Sequence, residues 1–124
     1  MENDKVILIY GFNGDEKKIL QNLIKQNNLP NYLTIENDMV NMKVKDILNR
    51  IKLPILNTDV INEKVILFNN LPDKELDKAI TLIKMFIKPM PILAVVTDIS
   101  IEWIFKDLLK HLIEEREWFR NQGK

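Results

Sequence analysis

The chain has 124 residues, 46% of them apolar and 29% charged, a balance that suits one buried core and excludes a disordered or collagenous polymer. Eighteen Lys and Arg offset eighteen Asp and Glu, so no net field gathers a polyanion, and nucleic acid is not an expected partner. Cysteine is absent, which excludes disulfides, thiolate metal centres and thiol nucleophiles, and fits a reducing, cytoplasmic setting.

The start, "MENDKVILIYG", places Glu2 and Asp4 ahead of a short apolar run, without the basic opening and length of an export signal. Elsewhere the apolar runs fall short of the ~20 residues that span a bilayer, so neither export nor membrane insertion is expected. Lys5–Ile9, "KVILI", reads as a buried strand that ends at Gly11. Residues 15–26 then set Ile19, Leu20, Leu23 and Ile24 on one face of an amphipathic helix. Asn13 with Glu16 three residues on predicts a capping box at its start.

Pro30 ends that helix, and Tyr32–Glu36 predicts a second strand. Val44, Ile47, Leu48 and Ile51 have helical spacing, giving a short second helix over residues 43–50. Residues 52–62, with Pro54 and an Asn-Thr-Asp cluster, read as an irregular connection that buries Ile55 and Leu56. Val65–Phe68 is a third strand, and Pro72 suits the opening of a third helix over residues 73–87. The broad stripe of Leu76, Ala79, Ile80, Ile83, Phe86 and Ile87, widened by Leu82 and Met85, predicts a helix buried more deeply than the first. "ILAVV" at 92–96 predicts a well-covered fourth strand, and Ser100 is placed to cap a final helix running through Ile104, Phe105, Leu108, Leu109, Leu112 and Phe119, with an end that projects.

The order β-α-β-α therefore occurs twice, over residues 4–51 and 63–119, and "KVIL" at Lys5 returns 59 positions later at Lys64. Glu16 matches Glu75 and Pro30 matches Pro89 at the same spacing, while "KDIL" at Lys45 returns as "KDLL" at Lys106 with two residues added. Two tandem repeats predict a single α/β domain over residues 1–124, with a four-stranded, mainly parallel sheet in the order 2-1-3-4 and helices on both faces. A second arrangement pairs the two first strands antiparallel about a twofold axis, as in a fused dimer. Gly11 and Asn70 fall at equivalent positions after strands one and three, and both residue types accept positive φ, so the two turns are expected to share a conformation.

The second half, "EKVILFNNLPDKELDKAI" with "PILAVVTDISIEWIFKDLLKHLIEEREWF", resembles a small bacterial family known as domain of unknown function 3783 over residues 63–119. Glu75-Leu76, Ala94, Thr97, Trp103, Leu108, Leu109, Leu112 and Glu115 carry the resemblance. The turn departs from the family pattern, with Asn69-Asn70-Leu71 where that pattern has Gly-Phe, although the first half keeps Gly11-Phe12. The resemblance implies no activity, cofactor or catalytic residue.

"GFNGDEKK" lacks the spacing of a phosphate loop or a dinucleotide fingerprint and reads as an ordinary strand-to-helix turn. Glu36, Asp38 and Asp98 follow strands two and four, which are opposite edges of the expected sheet, so they are assigned to turns and caps rather than a metal. His111 is the single histidine and Ser100 the single serine, and no catalytic constellation surrounds either. The leading expectation is a non-enzymatic binding or interaction module without metal or cofactor, meeting a protein partner through the two strand-end turns or through the last helix at Trp103, Trp118 and Phe119, and a homodimer paired through that helix is a third reading. The alternative is a ligand-sensing or enzymatic domain that takes a small molecule between the carboxyl ends of strands one and three, at Tyr10, Asn13, Asn69 and Asn70.

Overall fold

A computed structural model describes residues 4–51 and 60–122. The expected connection through Ile55 and Leu56 lies outside the described residues. The chain divides into two compact units, Met1–Ile35 with Ile61–Val96 and Glu36–Val60 with Thr97–Lys124. Each unit therefore draws on both halves of the sequence.

The first unit is a four-stranded sheet crossed by two helices. Strand β1 (Val6–Tyr10) leads into helix α1 (Gly14–Asn27) and strand β2 (Tyr32–Thr34); strand β3 (Val65–Asn69) leads into helix α3 (Asp73–Phe86) and strand β4 (Ile92–Val95). The intervening helix α2 (Val44–Leu48) and the last helix α4 (Phe105–Gln122) belong to the second unit. Asn13 caps α1 as its spacing predicts: its side chain accepts the Glu16 N–H at 2.9 Å, and the Glu16 carboxylate accepts the Asn13 N–H at 3.0 Å. Asn28, with φ 56°, closes the far end of α1 in the left-handed conformation.

The sheet order is β2-β1-β3-β4, with β1 parallel to β2 and β3 parallel to β4. The sheet is thus mainly parallel as expected, but the central pair β1–β3 is antiparallel, which corrects the doubly wound arrangement to a mixed sheet. That junction is symmetric: Leu8 pairs with Leu67, its counterpart 59 positions on, and Val6 pairs with Asn69 as Tyr10 pairs with Val65. On either side, Ile7 opposite Tyr32 corresponds to Ile66 opposite Leu93.

Reversing the second β-α-β also moves its helix. Under the right-handed crossover rule, turning one unit by 180° in the plane of the sheet brings its helix to the same face as the other. Accordingly α1 and α3 share one face, where Leu20, Ile24, Ala79, Ile83 and Ile87 pack with Ile7, Ile9, Ile66 and Phe68. In a doubly wound sheet these two crossover helices would lie on opposite faces; here they lie on one. Side chains of the opposite face, among them Leu8 and Leu67, are also buried, which is why these strands are apolar at nearly every position.

Two depth expectations fail. Helix α1 buries Glu16, Leu20, Leu23 and Ile24, whereas α3 buries Ala79 and Ile83 and leaves Met85 and Phe86 exposed. Strand β4 is an edge strand, half-buried along its length and exposed at Val95, because the sheet order gives it one neighbour. The order was legible, and the burial that follows from it overrides the apolar composition of "ILAVV".

In the second unit, Lys43 and Ile104 form an antiparallel bridge. Around it the Val44 N–H donates to the Trp103 carbonyl at 2.9 Å, and the Phe105 N–H donates to the Met42 carbonyl at 2.8 Å. Each of these is the other's counterpart at a spacing of 61, the same offset that relates "KDIL" to "KDLL". The bridge holds Trp103 and Ile104 extended, so the last helix begins at Phe105 and is not capped by Ser100. Ser100 instead starts a short 3-10 turn, where its hydroxyl accepts the Thr97 N–H at 2.9 Å. No described helix is long and apolar enough to cross a membrane.

Candidate functional site

The turn after β1 is built around a close approach. Gly11 has φ 82°, and a Cβ there would drive into the Glu63 carbonyl oxygen and lie 3.3 Å from the Lys64 Cα. Asn70, after β3, has φ 61°, so the two turns share the left-handed residue that their equivalent positions predict. Beyond Gly11 the Glu16 side chain, 8% exposed as a residue, is held by the Asn13 N–H and by an ion pair to Lys64. Burial pushes the Glu16 carboxyl up, but the Asn13 N–H and the Lys64 ammonium together outweigh it and hold the group below its ordinary range.

A second ion pair mirrors the first. Lys5 lies 3.4 Å from Glu75, and these are the counterparts of Lys64 and Glu16 at 59 positions. Lys64 reaches from the start of β3 to α1, and Lys5 from the start of β1 to α3, so each half clasps the other's helix. Both acids and both lysines stand among the repeated residues, and that reciprocity was the available signal for a pairing the sequence reading did not make. The two pairs differ in setting, since the Lys5–Glu75 side chains are 49% and 35% exposed and contribute little in water.

The antiparallel junction separates the four residues expected to line a shared crevice. Tyr10 lies opposite Val65 and Asn69 opposite Val6, about 13 Å apart along the strands at ~3.3 Å per residue. Asn13 follows Tyr10 at one end of the sheet, and Asn70 follows Asn69 at the other. Tyr10 and Asn69 are buried, and the Asn69 amide donates to the Asp4 carbonyl at 2.7 Å. Asn13 spends its side chain on the cap. The carboxyl ends of strands one and three thus point in opposite directions, and the four residues are not brought together.

The aromatic candidates all lie in the second unit. Trp103 is half-buried, with its ring edge-on to His111 at 5.4 Å, and His111 Nε2 lies 3.3 Å from Glu115. Trp118 and Phe119 stack edge-to-face at 5.0 Å and are 57% and 64% exposed. Phe105, Leu108 and Leu109 are buried at the start of α4, and from Lys110 to Gln122 no residue is buried. Lys45 pairs with Glu102 at 2.9 Å on this unit's surface. No group of three or more His, Asp or Glu side chains is placed to hold a metal ion among the described residues.

One comparison with known proteins bears on this geometry. Residues 64–119 match the family model of a domain of unknown function, DUF3783. The DUF3783 match opens at Lys64, the ammonium that reaches Glu16, and closes at Phe119, the second exposed aromatic of α4. It takes in all of β3, α3 and β4 and most of α4, and none of the first half. No curated protein and no solved structure matches the chain.

Proposed function

We propose that the chain is a non-enzymatic, cytoplasmic protein-interaction module made of two βαβα copies, the second corresponding to the DUF3783 match and the first a diverged partner. Support for the copies comes from equivalent residues meeting in pairs: Leu8 with Leu67, Lys43 with Ile104, and the reciprocal Lys–Glu clasps. Two such halves complete a sheet that neither could cover alone.

The observation that carries the interaction reading is the outer part of α4. Its counterpart α2 ends at Leu48, with Arg50 in the left-handed conformation, whereas α4 continues through Lys110–Gln122 without burying a residue. A segment that the fold does not need, ending in two exposed aromatics, is a docking element: burying aromatic side chains of ~150–250 Å² each supplies the anchor of a protein interface.

The double variant Trp118→Glu, Phe119→Glu tests this. Exposed substitutions of this kind change stability by no more than about 0.5 kcal/mol. Thermal unfolding is expected to be unchanged, while a partner retained from lysate by the natural protein is lost. Turnover by the natural protein in a broad hydrolase and transferase screen, or full retention of the partner by the variant, would contradict the reading.

A further inference from the structure

Helix α3 ends in an apolar surface that its own fold does not use. Met85, Phe86 and Met90 are 61%, 51% and 54% exposed, and all three lie in the first compact unit. The residues 59 positions earlier, at the same end of α1, are Gln26, Asn27 and Asn31, so neither the helix nor its turn requires apolar side chains there. Ile83 and Ile87, by contrast, are buried and hold this end of α3 on the sheet.

The charge around the patch is of one sign. From Lys78 to Thr97 the chain carries Lys78, Lys84 and Lys88 and no acidic residue. Lys84 and Lys88 flank Met85 and Phe86, both are exposed, and neither forms an ion pair among the described residues. Tyr10 pairs with Val65 and Val65 with Ile92, so the end of α3 shares one end of the sheet with the start of α1 and the approach to β3. The charged residues of those two segments cancel, Lys17, Lys18 and Lys64 against Asp15, Glu16 and Glu63, with Glu16 and Lys64 already paired. Lys84 and Lys88 are the local excess.

We propose, beyond the reading of α4, that this end of α3 rests on an anionic lipid surface, with Met85, Phe86 and Met90 entering the headgroup boundary and Lys84 and Lys88 meeting the phosphates. Size selects a lipid over a protein. At their exposures the three side chains offer roughly 300–350 Å², less than half of the roughly 800 Å² that one partner gives to a specific protein interface. A bilayer surface needs no matching contour: apolar burial and attraction to anionic headgroups add, and lysine stems lie along the apolar boundary while their ammonium groups stay in the polar layer. The contact is peripheral and reversible, because two lysines and three side chains fall far short of a spanning segment.

Co-sedimentation of the full chain with vesicles of equal parts phosphatidylcholine and phosphatidylglycerol, and with vesicles of phosphatidylcholine alone, tests this. The natural protein is expected to bind the mixed vesicles at least about tenfold more tightly than the neutral ones, and to be released as salt is raised. Phe86→Asp, and separately the pair Lys84→Gln with Lys88→Gln, should each weaken binding to the mixed vesicles at least about tenfold. Gln26→Asp, at the counterpart position on α1, should leave binding unchanged, and circular dichroism confirms that each variant is folded. No binding to the mixed vesicles, equal binding to the neutral ones, or an equal loss with Gln26→Asp would overturn the lipid surface. Binding of a polyglutamate peptide with vesicles left free would assign the patch to an acidic protein instead. Self-association without vesicle binding, abolished by Phe86→Asp in sedimentation velocity, would assign it to a second copy, and either result overturns the proposal.

Discussion

Replacing Gly11 with alanine should destabilise the protein by at least about 3 kcal/mol, read as a loss of unfolding free energy in urea. Two costs combine. A φ of 82° is strained for any residue with a Cβ, at about 1–2 kcal/mol. That Cβ would also be driven into the Glu63 carbonyl oxygen, a backbone atom that no rotamer change can move. The site lies at the end of β1 beside the start of β3, so relieving the clash means parting the antiparallel pair on which the two halves are joined. Asn70 supplies the internal control: it holds the equivalent turn with φ 61°, where glycine brings no backbone strain, so Asn70→Gly should cost less than Gly11→Ala. A Gly11→Ala protein as stable as the natural one would show that this turn is not built as described.

The second large effect is in the core. Phe68→Ala should cost about 3–5 kcal/mol by the same measurement. Phe68 is 1% exposed, stands opposite Ile7 across the central junction, and packs in the cluster to which α1 and α3 contribute Leu20, Ile24, Ala79 and Ile83. Truncation removes the aromatic ring from contacts with both crossover helices at once, and a cavity between two helices and a sheet collapses only in part. A loss below about 1 kcal/mol would mean that the helices do not share this face.

Much of the architecture could be read from particular residues. Asn13 and Glu16 announced the capping box, the apolar runs announced four strands, and the crossover rule with the repeated order gave β2-β1-β3-β4. Gly11 and Asn70 announced two turns of one conformation. The direction of β3 against β1 was not legible, for a physical reason. "VILI" and "VILF" are apolar at every position because both faces of these strands are buried, so no alternation records which register or direction satisfies them. The antiparallel pairing of the two first strands, the alternative arrangement, is the one they adopt.

That single unread direction decided the fate of the candidate site. Parallel strands would gather Tyr10, Asn13, Asn69 and Asn70 at one edge; antiparallel strands divide them between two. The Glu16–Lys64 clasp went unread although both of its residues were matched in the repeat, because a matched pair signals a contact only once the symmetry is known. Met85 and Phe86 fit the helical stripe of α3 by spacing, yet both are exposed, because spacing alone does not say how wide a face the sheet covers. The projecting end of α4, with Trp118 and Phe119, was visible from the charged run "EEREWFRNQGK", and the structure adds that nothing beyond Leu109 in it is buried.

The measurement that tests the account most directly is a map of backbone nuclear Overhauser contacts between β1 and β3 in the isotopically labelled chain. The joined halves predict cross-strand contacts between Val6 and Asn69, Leu8 and Leu67, and Tyr10 and Val65. Contacts of Val6 with Val65 and Tyr10 with Asn69 would instead mean a parallel pair. They would bring the two turns back to one edge, and with them the residues that the antiparallel junction separates.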